Sequence, residues 1–156
     1  MDQLDDERFI RRAIQIADLA MTHGNQPFGA LLVKDGEIII EAESTKVNTK
    51  DCTRHAELTV AALASMILDK ETLSKCTLYS STEPCAMCTG AIYWSGIGRV
   101  VFGCSKEALN KLKGDNLHLK CKDVLAYGTR KVPVIGPVLE AEAILGHAKF
   151  WKFPQS

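Results

Sequence analysis

Two short motifs near the middle of the chain contain residue types that are suited to metal-assisted chemistry. They are residues 55–57 (His-Ala-Glu) and residues 84–88 (Pro-Cys-Ala-Met-Cys). One imidazole and two thiolates make a three-ligand site, and zinc held in this way keeps its fourth tetrahedral position for water, as catalytic zinc does. The sequence therefore predicts one zinc ion per chain, with His55, Cys85 and Cys88 as its ligands.

Glu57 follows the histidine by two residues, where its carboxylate can move protons. Zinc lowers the pKa of water to near neutrality, but displacement of an amino group from an aromatic ring also requires protons on the ring and on the leaving amine. One carboxylate can supply both by carrying protons from water one after the other. We expect Glu57 to be the catalytic residue.

Two other interpretations of the cysteines and histidines are open at this point. A lone C-x-x-C pair also occurs in redox pairs and in structural zinc sites. A structural site needs a fourth protein ligand, for which the chain offers Cys52, Cys104, Cys121, His23, His118 and His147. Such a module would be a noncatalytic zinc-binding partner subunit, and the presence of Glu57 argues against it because structural zinc has no need of a proton-transferring group.

The composition limits the class of partner. The 156 residues are 46% hydrophobic, which is enough for a single domain over residues 1–156 with its own core. Because 19 acidic residues balance 19 basic ones, no net field attracts nucleic acid or an anionic membrane. The chain has no apolar leader and no apolar run of about 18 residues, so we expect a soluble, cytoplasmic protein with a small-molecule substrate.

Hydrophobic periodicity predicts the elements that position the two motifs. Helices are expected over residues 5–21, 55–68, 85–94, 106–113 and 139–151, with Pro84 favouring the start of the third. Strands are expected over residues 28–33, 37–42, 76–81, 98–104 and 131–135, the first two being joined by an Asp-Gly turn. Residues 43–54 are expected to be a loop. This order favours a three-layer α/β/α domain around one mixed sheet, with both motifs at helix N-termini that can converge.

The two motifs resemble the zinc signature of the cytidine and deoxycytidylate deaminase superfamily, H-x-E followed by P-C-x-x-C. The likeness covers most of the chain and is carried by residues 27–30, 54–58, 82–92 and 97–103. It points to the branch that contains guanine, cytosine and tRNA adenosine deaminases. The resemblance implies a five-stranded sheet in a three-layer sandwich, zinc on His55, Cys85 and Cys88, Glu57 as the proton shuttle, and usually a homodimer.

The resemblance implies substrate-binding residues less completely. Relatives commonly have an asparagine eleven residues before the ligand histidine that contacts the base or sugar, and here this position is Ser44. Phe28 and Trp94 are candidates for the pocket wall, although aromatic residues near a motif are more often part of a core. In guanine-type relatives the C-terminal segment supplies an acidic contact, which makes Glu142 or Glu140 the candidate. A solvated helix face is the alternative.

These features favour hydrolytic deamination of a free nucleobase or nucleoside, with guanine or a related aminopurine first and a cytosine-type pyrimidine second. A tRNA adenosine deaminase is a further alternative. Relatives that act on tRNA are expected to have a basic C-terminal helix, whereas residues 139–145 are acidic and apolar and aromatic residues follow them. The sequence leaves open which heterocycle is the substrate.

Overall fold

A five-stranded mixed sheet organises the chain in the computed structural model, which describes residues 2–114 and 116–151. The strands lie in the order β2-β1-β3-β4-β5. Their bounds are β1 (Gly29–Lys34), β2 (Glu37–Glu43), β3 (Thr77–Thr82), β4 (Arg99–Cys104) and β5 (Val134–Ile135). Strand β1 is antiparallel to β2 and β3, whereas β3, β4 and β5 run parallel. The predicted mixed sheet of five strands is confirmed.

Helices pack on both faces of this sheet, which confirms the predicted three-layer α/β/α fold. The helices of the described residues are α1 (Gln3–Thr22), α2 (Lys46–Thr49), α3 (Ala56–Ile67), α4 (Lys70–Leu73), α5 (Ala86–Ser95), α6 (Lys106–Lys113), α7 (Cys121–Leu125) and α8 (Glu140–Trp151). Helices α3, α5 and α7 contribute to one core cluster, and α1 contributes to the cluster on the other face. Helix α8 packs with α6 against the end of β4.

Successive side chains of the central strands divide between the two cores because side chains alternate along a strand. Leu32, Leu78 and Val100 belong to the cluster with α3, α5 and α7. Their strand neighbours Leu31, Tyr79 and Val101 belong to the cluster with α1. The mostly apolar sequences of β1 and β4, and the complete burial of β3, therefore reflect a sheet that is covered on both sides.

The predicted turn between β1 and β2 is present. Asp35 and Gly36 have φ angles of 50° and 78°. Two successive residues with positive φ are typical of the type I′ turn, whose twist matches that of the strands it joins. The Asp-Gly pair therefore fixes the hairpin that the sequence predicted.

Several boundaries differ from the predictions. Helices α2, α4 and α7 were not predicted because four or five residues are too few for a helical period, and α2 lies within the predicted loop 43–54. Strand β5 has only two residues of the predicted five, since Pro133 has no N–H to donate to a neighbouring strand. Helix α8 begins at Glu140 because Leu139 has a φ of 55°, outside the helical range.

The helix of the second motif begins one residue later than predicted. Cys85 has an extended backbone (φ −69°, ψ 172°) and is the N-cap of α5, so Pro84 lies before the helix and not in its first turn. His55 has the same extended conformation (φ −77°, ψ 149°) as the N-cap of α3. Each motif thus supplies the residue immediately before a helix.

Among the helices of the described residues, none combines the length and the apolar character that crossing a membrane requires.

Candidate active site

Three side chains from the two motifs converge on one point. Nδ1 of His55 lies 3.6 Å from Sγ of Cys85 and 3.4 Å from Sγ of Cys88, and the two sulfurs are 3.5 Å apart. Tetrahedral zinc with ordinary bond lengths requires N···S and S···S separations of about 3.6 and 3.8 Å. The triangle fits such an ion closely, so the three side chains are positioned to bind one zinc ion.

The packing of α3 against α5 brings the ligands together, because each helix presents its N-terminal end at the same place. The partial positive charge of a helix N-terminus favours anionic ligands. The hydrogen bond with Cys88, supported by that with His55 and opposed by burial, lowers the pKa of Cys85 to about 3. The thiolate that zinc requires is therefore the favoured form of Cys85.

Glu57 lies in the first turn of α3 and is only 4% exposed. Its Oε1 accepts a hydrogen bond of 3.1 Å from the Ser80 hydroxyl on β3. Burial, together with the charge of Cys85, raises the pKa of the Glu57 carboxyl above its usual value, while the charge of His55 and the Ser80 hydrogen bond oppose the rise. A carboxyl whose pKa is raised in this way is suited to accept and then release a proton.

Two of the predicted substrate-binding residues are neighbours. The backbone N–H of Ser44 donates to the carbonyl of Phe28 (3.0 Å), which extends the β1–β2 hairpin by one further bond. Ser44 is buried, and the Phe28 ring packs edge-on against His147 with 5.1 Å between the ring centroids. Their roles in substrate binding stay predictions.

The other predicted substrate-binding residues lie apart from the ligands. Trp94 is 76% exposed near the C-terminal end of α5, about 13 Å along the helix axis from Cys85. Glu142 is on the surface, where both carboxylate oxygens accept hydrogen bonds from Arg11 (3.1 Å each). Glu140, the alternative, accepts from the backbone N–H of Ser105 at the end of β4 (2.7 Å). The structure therefore gives Trp94 and Glu142 no support as substrate contacts.

The remaining cysteines and histidines do not complete a four-ligand protein site. Within the described residues, the His, Cys, Asp and Glu side chains grouped closely enough to hold a metal ion are His55, Cys85 and Cys88 alone. Cys104 and Cys121 are buried elsewhere in the core, and Cys52 is exposed. A structural zinc with a fourth protein ligand therefore has no support, and the fourth position is left for a small molecule.

Two supporting residues were not found from the sequence. Ser80 contacts the Glu57 carboxylate, and a serine inside a predicted strand gave no signal of this contact. Glu83 is buried, and its two oxygens accept from the backbone N–H groups of Lys106 (2.9 Å) and Cys121 (2.8 Å), the first residues of α6 and α7. An acidic residue between an apolar strand and Pro84 is a signal that could have identified Glu83.

Comparison with known proteins supports the zinc site that the geometry indicates. Residues 3–104 match the family model described as the cytidine and deoxycytidylate deaminase zinc-binding region. The probable cytosine deaminase of Schizosaccharomyces pombe is 40% identical over 151 residues, which cover 94% of this chain and 92% of that protein. The guanine deaminase of Bacillus subtilis is 43% identical over 93 residues, or 59% of this chain and 60% of that protein. The solved guanine deaminase from Nitrosomonas europaea has a TM-score of 0.82 at 22% identity, covering 94% of this chain and 85% of that one.

The fold and the three-ligand site define a zinc-dependent deaminase, an enzyme class that hydrolyses C–N bonds. The chain belongs to the cytidine and deoxycytidylate deaminase family, since the matched residues include both motifs and well over half of the sequence.

Proposed function

We propose that this enzyme deaminates a free nucleobase or nucleoside by hydrolysis and releases ammonia. The observation that carries the proposal is the burial of Glu57 beside the three-ligand site, with its carboxyl pKa raised. Burying a carboxyl costs free energy, and a structural zinc has no use for one. A noncatalytic partner subunit would not need this arrangement.

Zinc bound by His55, Cys85 and Cys88 would acidify water and so supply the nucleophile at neutral pH. The protein's own side chains transfer the protons and hold the zinc ligands in place. The Glu57 carboxylate takes one proton from the attacking water and delivers it to the ring nitrogen next to the amino-bearing carbon. It then takes the second proton from the hydroxyl group added to that carbon and delivers it to the amine, which leaves as ammonia as the C–N bond breaks. The helix N-terminus at Cys85 favours the thiolate form of that ligand.

Guanine or a related aminopurine is our first choice of substrate, and the sequence similarity to a guanine deaminase supports it. A cytosine-type pyrimidine is the second choice, supported by the full-length similarity to a probable cytosine deaminase. A tRNA substrate is disfavoured because the chain has no net charge and the first turn of α8 contains Glu140 and Glu142. Salt-sensitive binding of tRNA would revive that alternative.

A screen of ammonia release tests the proposal. Guanine, guanosine, cytosine, adenine, isoguanine, pterins and triazines are offered to the zinc-loaded protein, and we expect turnover with a free base or nucleoside. Glu57→Gln should lower kcat by about 10³-fold while zinc stays bound. Ammonia release at the wild-type rate by Glu57→Gln would refute the mechanism, and the absence of turnover on every compound would refute the substrate class.

We also propose a homodimer, formed through the outer side of the layer of α3, α5 and α7. Met66, Ile67, Trp94 and Tyr127 are large apolar residues on these elements or directly after them, and each is more than 60% exposed. An interface between two copies of the chain would remove these apolar side chains from water. Light scattering should give twice the chain mass, and Trp94→Glu should shift the protein toward the monomer.

The proposed location is the cytoplasm, because all six cysteines are free thiols, as expected in a reducing compartment. We further propose that the whole chain acts as one domain.

A further inference from the structure

A cavity lies between α6 and the segment that leads into α7. Its volume is about 470 Å³, which is within the range of about 300–1,000 Å³ that is typical of small-molecule sites. The residues that line it are Lys106, Glu107, Asn110, Lys111, His118 and Lys120. None of them is a zinc ligand, so the cavity is a feature of the molecule in addition to the metal site.

The lining has an excess of positive charge. Lys106, Lys111 and Lys120 are cationic, whereas Glu107 is the one carboxylate of the lining. The ion pairs of the described residues include none of these three lysines. Three positive charges therefore face one negative charge, and the cavity favours an anionic ligand.

Lys106 differs from the other two lysines because it is buried, with only 6% of its surface exposed. Its Nζ donates to Oδ1 of Asn116 at 3.4 Å, and the same oxygen accepts from the backbone N–H of Leu117 at 2.9 Å. An ammonium group has three hydrogens to donate. Within the part of the chain that the structure describes, two of them have no acceptor.

The carboxylate of Glu83 does not compensate this charge directly. Its two oxygens accept from the backbone N–H groups of Lys106 and Cys121, at 2.9 and 2.8 Å, and it forms no ion pair with Nζ of Lys106. Burial of an ammonium group costs free energy unless an anion or several acceptors lie beside it. The position of Lys106 therefore favours an anion with more than one oxygen.

We propose that this cavity binds a phosphate group, either as inorganic phosphate or as the monoester of a nucleotide. A phosphate monoester carries between one and two negative charges and has three acceptor oxygens that point in different directions. One oxygen can accept from the buried Lys106 while the others face Lys111 and Lys120, which are exposed. A carboxylate has one charge and two oxygens, so it matches these three lysines less well.

Calorimetric titration of the zinc-loaded protein tests the proposal. The probes are inorganic phosphate, inosine 5′-monophosphate and inosine, and the two inosine compounds have no amino group to lose. We expect at least one phosphate compound to bind with a Kd below about 1 mM at low salt. Lys106→Met should weaken this binding at least about tenfold, because it removes the buried charge.

The matched control is Lys75→Met, which removes the same charge from an exposed lysine outside the cavity that pairs with Glu71. It should leave the Kd unchanged. The same Kd in Lys106→Met as in the wild type would overturn the proposal, and so would the absence of saturable binding of both phosphate compounds up to about 10 mM.

The two phosphate compounds separate the two sources of the ligand. Inosine 5′-monophosphate that binds more tightly than inorganic phosphate, while inosine shows no binding that depends on Lys106, would assign the site to a nucleotide. Equal Kd values for the two phosphate compounds would assign it to phosphate itself. Binding of inosine that is lost in Lys106→Met would show that the base is recognised instead, and it would overturn the proposal.

The competing explanation is that water alone hydrates the Lys106 ammonium group. The exposed lysines test this explanation without a risk to folding, because Lys111→Met and Lys120→Met alter side chains at the rim. Each should weaken phosphate binding about two- to fivefold. If Lys106→Met fails to fold, unchanged binding in both of these variants would overturn the proposal.

Thermal unfolding provides a second readout. A ligand stabilises the folded state to which it binds, so phosphate should raise the Tm of the wild type and of Lys75→Met more than that of Lys106→Met. Phosphate also stabilises proteins without binding a site, which makes the comparison among variants at one concentration necessary. An equal rise in all three proteins would overturn the proposal. These measurements involve no turnover, so their outcome is independent of the proposed deaminase activity.

Discussion

Oγ1 of Thr82 lies 2.6 Å from Nε2 of His147, so that the last residue of β3 is bonded to the C-terminal helix. The indole N–H of Trp151 donates to Nδ1 of the same ring (3.0 Å). Since Nδ1 accepts, the neutral ring carries its hydrogen on Nε2 and donates it to Thr82. A buried, neutral histidine thus joins α8 to the strand that leads into Pro84 and Cys85.

We predict that His147 makes the protein less stable in mild acid. Burial, with repulsion from Lys113 and Lys106, lowers the pKa of His147 from 6.5 to about 4. As the pH falls below about 6.5, the unfolded chain binds this proton before the folded chain does, so stability is lost until the pH passes about 4. The contribution is up to about 3 kcal/mol, and urea unfolding between pH 7 and pH 4 measures it.

The control for this pH dependence is His147→Gln, whose amide can also accept from Trp151 and donate to Thr82. With both proteins in chelator, so that zinc release adds nothing, the variant should lose less stability than the wild type over the same range. Parallel pH profiles would contradict the assignment to His147.

We predict that Cys88→Ala loses zinc whereas Cys104→Ala keeps it. Both thiols are completely buried, so the two substitutions remove the same atom from similar surroundings. Only Cys88 lies in the triangle with His55 and Cys85. Metal analysis after gel filtration should give about one zinc per chain for Cys104→Ala and a small fraction of one for Cys88→Ala. Equal zinc contents would refute the ligand set.

We predict that Glu83→Gln destabilises the fold by about 1–3 kcal/mol. Glutamine keeps one oxygen that can accept a hydrogen bond. Its NH₂ group cannot accept from the second backbone N–H that now donates to Glu83, so that N–H would lose its partner. Urea unfolding compares this variant with Glu107→Gln, which alters an exposed carboxylate in the first turn of α6. If the two variants prove equally stable, Glu83 does not support the two helices.

We predict that replacing Gly98 by alanine lowers the free energy of unfolding, whereas replacing Gly90 by alanine raises it. A Cβ atom at Gly98 would lie 1.9 Å from the backbone oxygen of Ser74, so Gly98→Ala forces main chain apart and should cost at least about 2 kcal/mol. A Cβ at Gly90 in α5 meets nothing within 4 Å, and Gly90→Ala should gain about 0.5–1 kcal/mol. Thermal unfolding of both variants checks the pair, and a stable Gly98→Ala would contradict the packing described.

The metal site was predictable from the sequence because its residues are close together in two motifs and their types are specific to zinc. The sheet was predictable because β1 and β4 contain apolar runs and an Asp-Gly turn joins β1 to β2. Contacts between residues far apart in the chain were not predictable. The bonds of Ser80 with Glu57 and of Thr82 with His147 depend on how helices dock on β3, and polar residues in a strand do not indicate their partners. Nor could the sequence indicate that Glu142 forms an ion pair with Arg11.

The two oxygens of Glu83 have a consequence for how this enzyme can diversify. They accept hydrogen bonds from the first residues of α6 and α7. One side chain, next to Pro84 in the sequence, therefore fixes both the start of α6 and the start of α7. Insertions, deletions and substitutions after α6 and before α7 would alter that part of the chain without altering the register of the zinc ligands. The connection between α6 and α7 can therefore vary in length and sequence while the metal site stays the same.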